Sequence, residues 1–526
     1  MNRNIILGCI TLAAFSLGSC EDFLDKEPLS LVVPTEYYKD EAQIQAAVNK
    51  LYTEVLPSHT NWSFGIFGLD SGTDNQVGFN PDVKYAKGQW KVALENDNWN
   101  WENIHNINYS LKQSLTNYNN KEVTGSEKNI RQYIGELYFL RAYAYFTMLQ
   151  KWGDLPIVKE DLPLDEEYLI EMNKRSPRNE VARFILEDLG HAVEYMSDNF
   201  DTRKNRISPD VAKLLKSRVA LFEASWLENF KGTAFVPNGE GWPGKSKDYN
   251  ASYEYPLGTI DKEIEFFLEE AVASAEIVAE KYKNSLTQNT GKVPQSEEDP
   301  DNPYISMFGN TDMSTYPDVL LWREYSKGLG VVNNVEVGIQ HGNNGVGLTR
   351  SMVESFVMKD GKPHYASHTG FVYDDETLAK IRENADPIFL KEPDQKNLFK
   401  NMTSQETHGV EVEPYPDITN MNAEKGYSTG YTIRKGGTFD KDLCGNGNGY
   451  TGAVVFRATE ALLNYMEAQY LLTRDLNSGK IMEYWKLIRE AAGFEGTAVN
   501  PTTMIDATEM DKEVLDWGAY TAGTLL

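Results

Sequence analysis

From Asn129 to Lys151 apolar residues return at intervals of three and four, with Ile130, Ile134, Leu137, Leu140, Ala144 and Met148 on one side, until Gly153 and Pro156 stop the run. That spacing fits the 3.6-residue turn of a helix and excludes a strand, whose side chains alternate with period two. The pattern recurs in 40–55 (Ile44, Ala47, Val48, Leu51), 101–118 (Ile104, Ile107, Leu111, Leu115), 181–196 and 261–282 (Ile264, Leu268, Ala271, Ala275, Val278, Tyr282). Ser208 before Pro209 and Asp210 reads as a capped helix start, and it opens a run carrying Leu215, Val219, Phe222 and Trp226. Helices of this length joined by short loops predict a mostly α fold of tetratricopeptide-like hairpins.

The texture changes after Tyr282. Up to about Val454 the chain is rich in Gly, Asn, Pro and Asp, interrupted by short runs such as Val319 to Trp322 and Gly430 to Ile433, which predict a loop-rich cap containing short strands. Helical periodicity returns over 456–472 and 480–492. The expected organisation is a helical region over 40–282, the cap over 283–454 and a C-terminal helical region over 455–526.

The first residues carry an address. Arg3, an apolar run from Ile5 to Leu17 and small Gly18 and Ser19 make a secretory signal over 1–19, too short for a stable span. The Leu17, Gly18, Ser19, Cys20 ending resembles a bacterial lipobox, so Cys20 is expected to become a lipidated N-terminus. Several acyl chains, at about 0.8 kcal/mol per buried methylene, anchor a domain lastingly. Residues 20–39 read as an acidic tether, with Glu21, Asp22 and Asp25 resembling an export tag for the outer surface and prolines at Pro28 and Pro34. The expected location is the outer membrane, facing the cell exterior.

A net charge of −27 repels phosphate backbones and anionic headgroups, which sets nucleic acid aside and favours neutral or cationic ligands. Of three cysteines, Cys9 leaves with the signal, Cys20 is the lipid site and Cys444 has no partner, so no disulfide scaffold or CxxC metal site forms.

Several segments, in this order, resemble the SusD/RagB family of surface glycan-binding lipoproteins. They are Cys20 to Asp25 with Pro28, Leu140 to Phe146 with Trp152 to Pro156, Val319 to Tyr325, Thr349 to Phe356 with Asp360 to Pro363, Gly430 to Lys435, Phe456 to Ala468, and Leu487 to Gly493. The resemblance implies four tetratricopeptide-like helix pairs with a loop-rich face. It also implies a non-catalytic role: capturing oligosaccharide and delivering it to a SusC-like TonB-dependent transporter, with no cofactor. Family members usually continue past the equivalent of Leu526 into a basic and aromatic segment, so the resemblance implies a truncated or incomplete chain.

Sugar recognition needs flat aromatic faces against C–H-rich pyranose faces, with amides, carboxylates and guanidinium groups for hydroxyls. Trp101, Trp152, Trp226 and Trp485 fall within or at the ends of helices and read as core. Trp62, Trp90, Trp99 and Trp242 stand in polar loop contexts, and Trp322 with Tyr325 follows a short strand. These are the candidate platforms. Asp74 and Asn75, in the loop starting at Gly68, are the candidate polar contacts.

Other motifs lack context. Gly447, Gly449 and Gly452 match a dinucleotide fingerprint in letters without a βαβ unit, and His364 with His368 lacks a third metal ligand. Among 78 acids no pair stands out as a glycosidase dyad, and no Gly-x-Ser-x-Gly occurs. Two alternatives stay open: an exported enzyme acting on polysaccharide, and an uptake scaffold with no glycan site of its own.

Overall fold

The computed structural model describes residues 37–60, 65–78, 98–291, 300–341, 345–349, 352, 360–361, 428–429, 433, 435–438, 440–443 and 446–500. Cys20 and the tether up to residue 36, Trp62, Trp90, Cys444, His364, His368 and residues 501–526 lie outside them.

The periodic segments are helices. Helix α1 (Glu41–Val55) starts where the Asp40 carboxylate accepts the Ala42 N–H, and it buries Ile44, Val48 and Leu51. Helices α2 (Glu102–Asn119) and α3 (Glu127–Trp152) follow, and Gly153, at φ 68°, closes the latter with its N–H donated to the Leu149 carbonyl. After the short α4 (Glu166–Met172) come α5 (Arg178–Tyr195), α6 (Pro209–Asn229) with Ser208 as its cap, and α7 (Ile260–Tyr282) with Thr259 as its cap.

The helices pack in a chain of neighbours. α1 and α2 lie on α3, α3 on α5, α5 on α6 and α6 on α7. α7 then meets α10 (Thr459–Thr473), which pairs with α11 (Ile481–Ala491). Such pairwise stacking lets each hairpin bury a face it could not bury alone, the hallmark of a helical repeat. The fold is therefore mostly α, as the periodicity predicts.

Two small antiparallel sheets build the cap. Strand β1 (Gln76–Val77) pairs with β3 (Gly347–Leu348), and β2 (Val319–Arg323) pairs with β4 (Ala453–Arg457). Short helices α8 (Pro303–Gly309) and α9 (Val335–His341) lie between them in the chain. β2 is covered on both faces: Leu320 and Leu321 join the main helical core, while Val319 and Trp322 join a second cluster with Phe67, Met307, Phe308 and Met313. A strand buried on both faces reads as an unbroken apolar run. The helix expected from Phe456 begins three residues later, at Thr459, because Phe456 pairs with Leu321 in β4.

Candidate functional site

A cleft of about 510 Å³ opens in the cap where the Gly65–Gly68 turn, α8, β4 and the first turn of α10 meet. Phe67 and Phe308 form its apolar floor, their rings edge to face at 6.3 Å. The turn is held from behind by buried His59. Its Nδ1 accepts the Ile66 N–H at 3.3 Å and its Nε2 donates to the Gly452 carbonyl at 3.2 Å, which assigns the neutral tautomer. Burial, with the Arg323 charge as a lesser cause, pushes the His59 pKa down to about 4.

Charged groups ring the floor, and most are already committed. Arg457 donates to the buried Asp318 carboxylate at 2.7 Å. Glu460 takes two hydrogen bonds from Arg218, at 2.5 and 2.6 Å. Asp70 accepts from the Asn75 amide at 2.9 Å. Lys435 differs: its ammonium stands 4.3 Å from the Phe308 ring centroid and makes no hydrogen bond or ion pair among the described residues. It keeps access to solvent from a concave wall, where the protein packed around it, and secondarily the Arg457 charge, push its pKa down to about 8. Gln76 adds an unmet acceptor, since its buried Oε1 has no partner. One unmet donor and one unmet acceptor over an apolar floor are complementary to a ligand carrying both kinds of group.

The sequence candidates divide. Asp74 and Asn75 are not among the residues that line the cleft, though Asp70 and Gln76 on either side of them are: Asp74 is exposed, its carbonyl accepts the Thr349 hydroxyl, and the Asn75 carbonyl accepts the Thr349 N–H at 2.9 Å. Trp242, Trp322 and Tyr325 are corrected. All three are buried, at 4%, 1% and 5% exposure, and none offers a face to a ligand. Trp322 donates its indole N–H to the Arg203 carbonyl at 2.6 Å, Trp242 donates to Asp154 at 2.7 Å, and the Tyr325 hydroxyl donates to the His59 carbonyl at 2.7 Å. Acceptors from distant stretches of chain satisfy these polar tips while the rings stay buried. Trp99 is half-buried against Trp101 and Trp152, with Arg175 stacked 4.3 Å from its centroid.

Reading by local spacing missed Phe67, Asp70, Gln76, Phe308, Lys435 and Arg457, which come from four distant stretches of chain. Two glycines of the dinucleotide-like run have packing roles: a Cβ on Gly452 would meet the Trp322 ring at 2.9 Å, and one on Gly449 the Asn333 carbonyl at 2.7 Å. Among the described residues no group of three or more His, Cys, Asp or Glu side chains could hold a metal. No described helix is long and apolar enough to cross a membrane.

Fold and cleft together define a helical-repeat scaffold carrying a loop-built cleft. Residues 22–221 match the sequence profile of a SusD-like family described as starch-binding and associating with the outer membrane, and 279–516 match that of the SusD family. The chain belongs to the SusD/RagB family. It is 25% identical over 239 residues to a SusD-like protein of Formosa agariphila, a match spanning 43% of this chain and 44% of the relative. Among solved structures it is similar in fold to a SusD-like protein from Bacteroides fragilis, at TM-score 0.57 and 20% identity over 93% of this chain and 86% of that one. A second, described as a SusD-like carbohydrate-binding protein from the same species, gives TM-score 0.59 and 16% identity over 91% and 87%.

Proposed function

We propose that this protein captures a glycan in and around the cleft over Phe308 and passes it, chemically unchanged, to a TonB-dependent outer-membrane transporter. Lipid on Cys20 would hold it on the outer face of the membrane. The observation that carries the binding role is the pairing of an unmet acceptor, Gln76 Oε1, with an unmet donor, the Lys435 ammonium, above an apolar floor. Vicinal hydroxyls supply donors and acceptors on one rigid ring, so a sugar answers both groups at once. Family membership supports the same reading, as does the similarity, modest and over part of the chain, to the SusD-like protein of Formosa agariphila. Trp62 and Trp90, on either side of the Gly65–Gly68 turn in sequence, remain the candidate platforms for the glycan.

The test is a glycan array followed by titration calorimetry on the detergent-solubilised full chain. Gln76→Ala, Trp62→Ala and Trp90→Ala should each weaken a bound glycan, the tryptophans by on the order of 1–3 kcal/mol, a scale taken from stacking and interface hot spots. Release of reducing ends from that glycan would overturn the non-catalytic role. Copurification of a TonB-dependent transporter with the native lipoprotein tests delivery, and its absence from a cross-linked membrane extract would count against it.

A further inference from the structure

The net charge of −27 favours neutral or cationic ligands only if the whole surface acts on the site. At physiological salt, fields from solvated charges fade within about 8 Å, so the groups inside the cleft decide what enters it. Among those charged groups Lys435 is the one with no hydrogen bond or ion pair to another described residue. Arg457 is neutralised by Asp318, and Glu460 by Arg218. Asp70 has its Oδ2 engaged by Asn75 and its Oδ1 3.3 Å from the Thr73 hydroxyl, so its lone pairs face donors of its own loop. Lys435 stands over two rings, Phe308 at 4.3 Å and Phe67 at 5.9 Å, and the Asp70 carboxylate acts on it only through space, without an ion pair. An ammonium presents three N–H donors, and a ring face answers at most one.

We infer that the cleft selects a glycan bearing an anionic substituent, a uronate carboxylate or a sulfate ester, whose oxygens pair with Lys435 while a neighbouring hydroxyl donates to Gln76 Oε1. This rests on the glycan-binding role proposed above and names the substrate class for that site. An anionic oxygen on a partly desolvated ammonium forms a charge-assisted hydrogen bond, stronger than any a neutral hydroxyl offers. Uronates and sulfate esters share the same chemistry at Lys435, and they differ in acceptor geometry, planar against tetrahedral.

The experiment compares three probes on the full chain by calorimetry: an oligogalacturonide, a carrageenan oligosaccharide and a neutral laminari-oligosaccharide of similar length. One of the two acidic probes should bind at least tenfold more tightly than the neutral one, and which of them does so identifies carboxylate or sulfate. Lys435→Met, which keeps the aliphatic stem and removes a desolvated charge, should fold at least as stably as the parent and lose that preference, while Lys435→Arg should keep part of it. Preferential binding of the neutral probe, or an acidic preference unchanged in Lys435→Met, would overturn the inference and leave the glycan-binding role standing. Absence of binding to all three and across a wider array would remove that role, and the inference with it.

Discussion

Trp242 donates its indole N–H to the Asp154 carboxylate across 2.7 Å, and the same carboxylate accepts the Arg178 N–H at 3.0 Å where α5 begins. One acid thus ties the exit turn of α3, the start of α5 and the 3-10 segment Pro243–Ser246 into a single joint. Trp242→Phe removes one donor and keeps most of the ring. It should cost about 1–3 kcal/mol, the scale of a buried acceptor left unmet, with glycan affinity unchanged. Chemical denaturation of the variant beside calorimetry checks both halves; weaker binding at parental stability would return Trp242 to the ligand site.

The helical repeat was legible because its signal is local. Ile44, Val48 and Leu51 recur on one face of α1, and Asp40 and Ser208 cap where short polar side chains can reach free N–H groups. The cleft was not legible, because Phe67, Phe308, Lys435 and Arg457 meet only when the cap closes, and no spacing along the chain encodes that meeting. Trp322 and Tyr325 misled for a related reason. Arg323, the last residue of β2, and Glu324 just beyond it keep access to solvent while Trp322 and Tyr325 on either side of them are buried, so polarity next door says little about an aromatic ring.

Arg141 and Asp188 form a buried bidentate pair between α3 and α5, with both hydrogen bonds at 2.7 Å. Arg141 also donates to Asn108 Oδ1 at 2.9 Å and to the Lys159 carbonyl at 2.8 Å. Removing the cation alone strands the carboxylate, so Arg141→Leu should lose about 3–5 kcal/mol. Adding Asp188→Leu to that variant should recover part of the loss, because the double change leaves no uncompensated charge. Urea unfolding of the three proteins tests the coupling, and strict additivity would refute it.

His59 gives the fold a defined acid sensitivity. Its folded pKa of about 4 lies below the ordinary 6.5, so on acidification the unfolded chain takes up a proton first. Stability from this residue is complete above pH 6.5, falls as pH drops towards 4, and levels off once both states are protonated. The loss across that window is roughly 3 kcal/mol, from 1.36 kcal/mol per unit. His59→Gln should lower stability at pH 7.5, where two hydrogen bonds are disturbed, and flatten the dependence between pH 6.5 and 4. Equal slopes for parent and variant in melting scans would exclude His59 as the sensor.

Gly436 links the backbone of the cleft wall to its floor. It adopts φ +90°, a left-handed conformation that glycine reaches without strain, and a Cβ there would collide with the Phe67 ring and approach Ile339 Cδ1 at 2.9 Å. Gly436→Ala therefore combines backbone strain with overpacking, each on the order of 1–3 kcal/mol. Phe67 cannot yield freely, since His59 lies 5.3 Å away on one side and Phe308 6.3 Å on the other. Relief must come from tilting the ring into the cleft or moving Lys435 along the chain. Either displacement changes the distance between the Lys435 ammonium and Gln76 Oε1, the two groups a sugar has to reach together. The expected result is a lower melting temperature with glycan affinity reduced tenfold or more, whereas Gly447→Ala, which strains a φ of +72° with no atom near its Cβ, should destabilise and leave affinity intact. Matching affinity losses in the two variants would show that loop strain alone governs binding, and that the floor built by Phe67 does not shape the site.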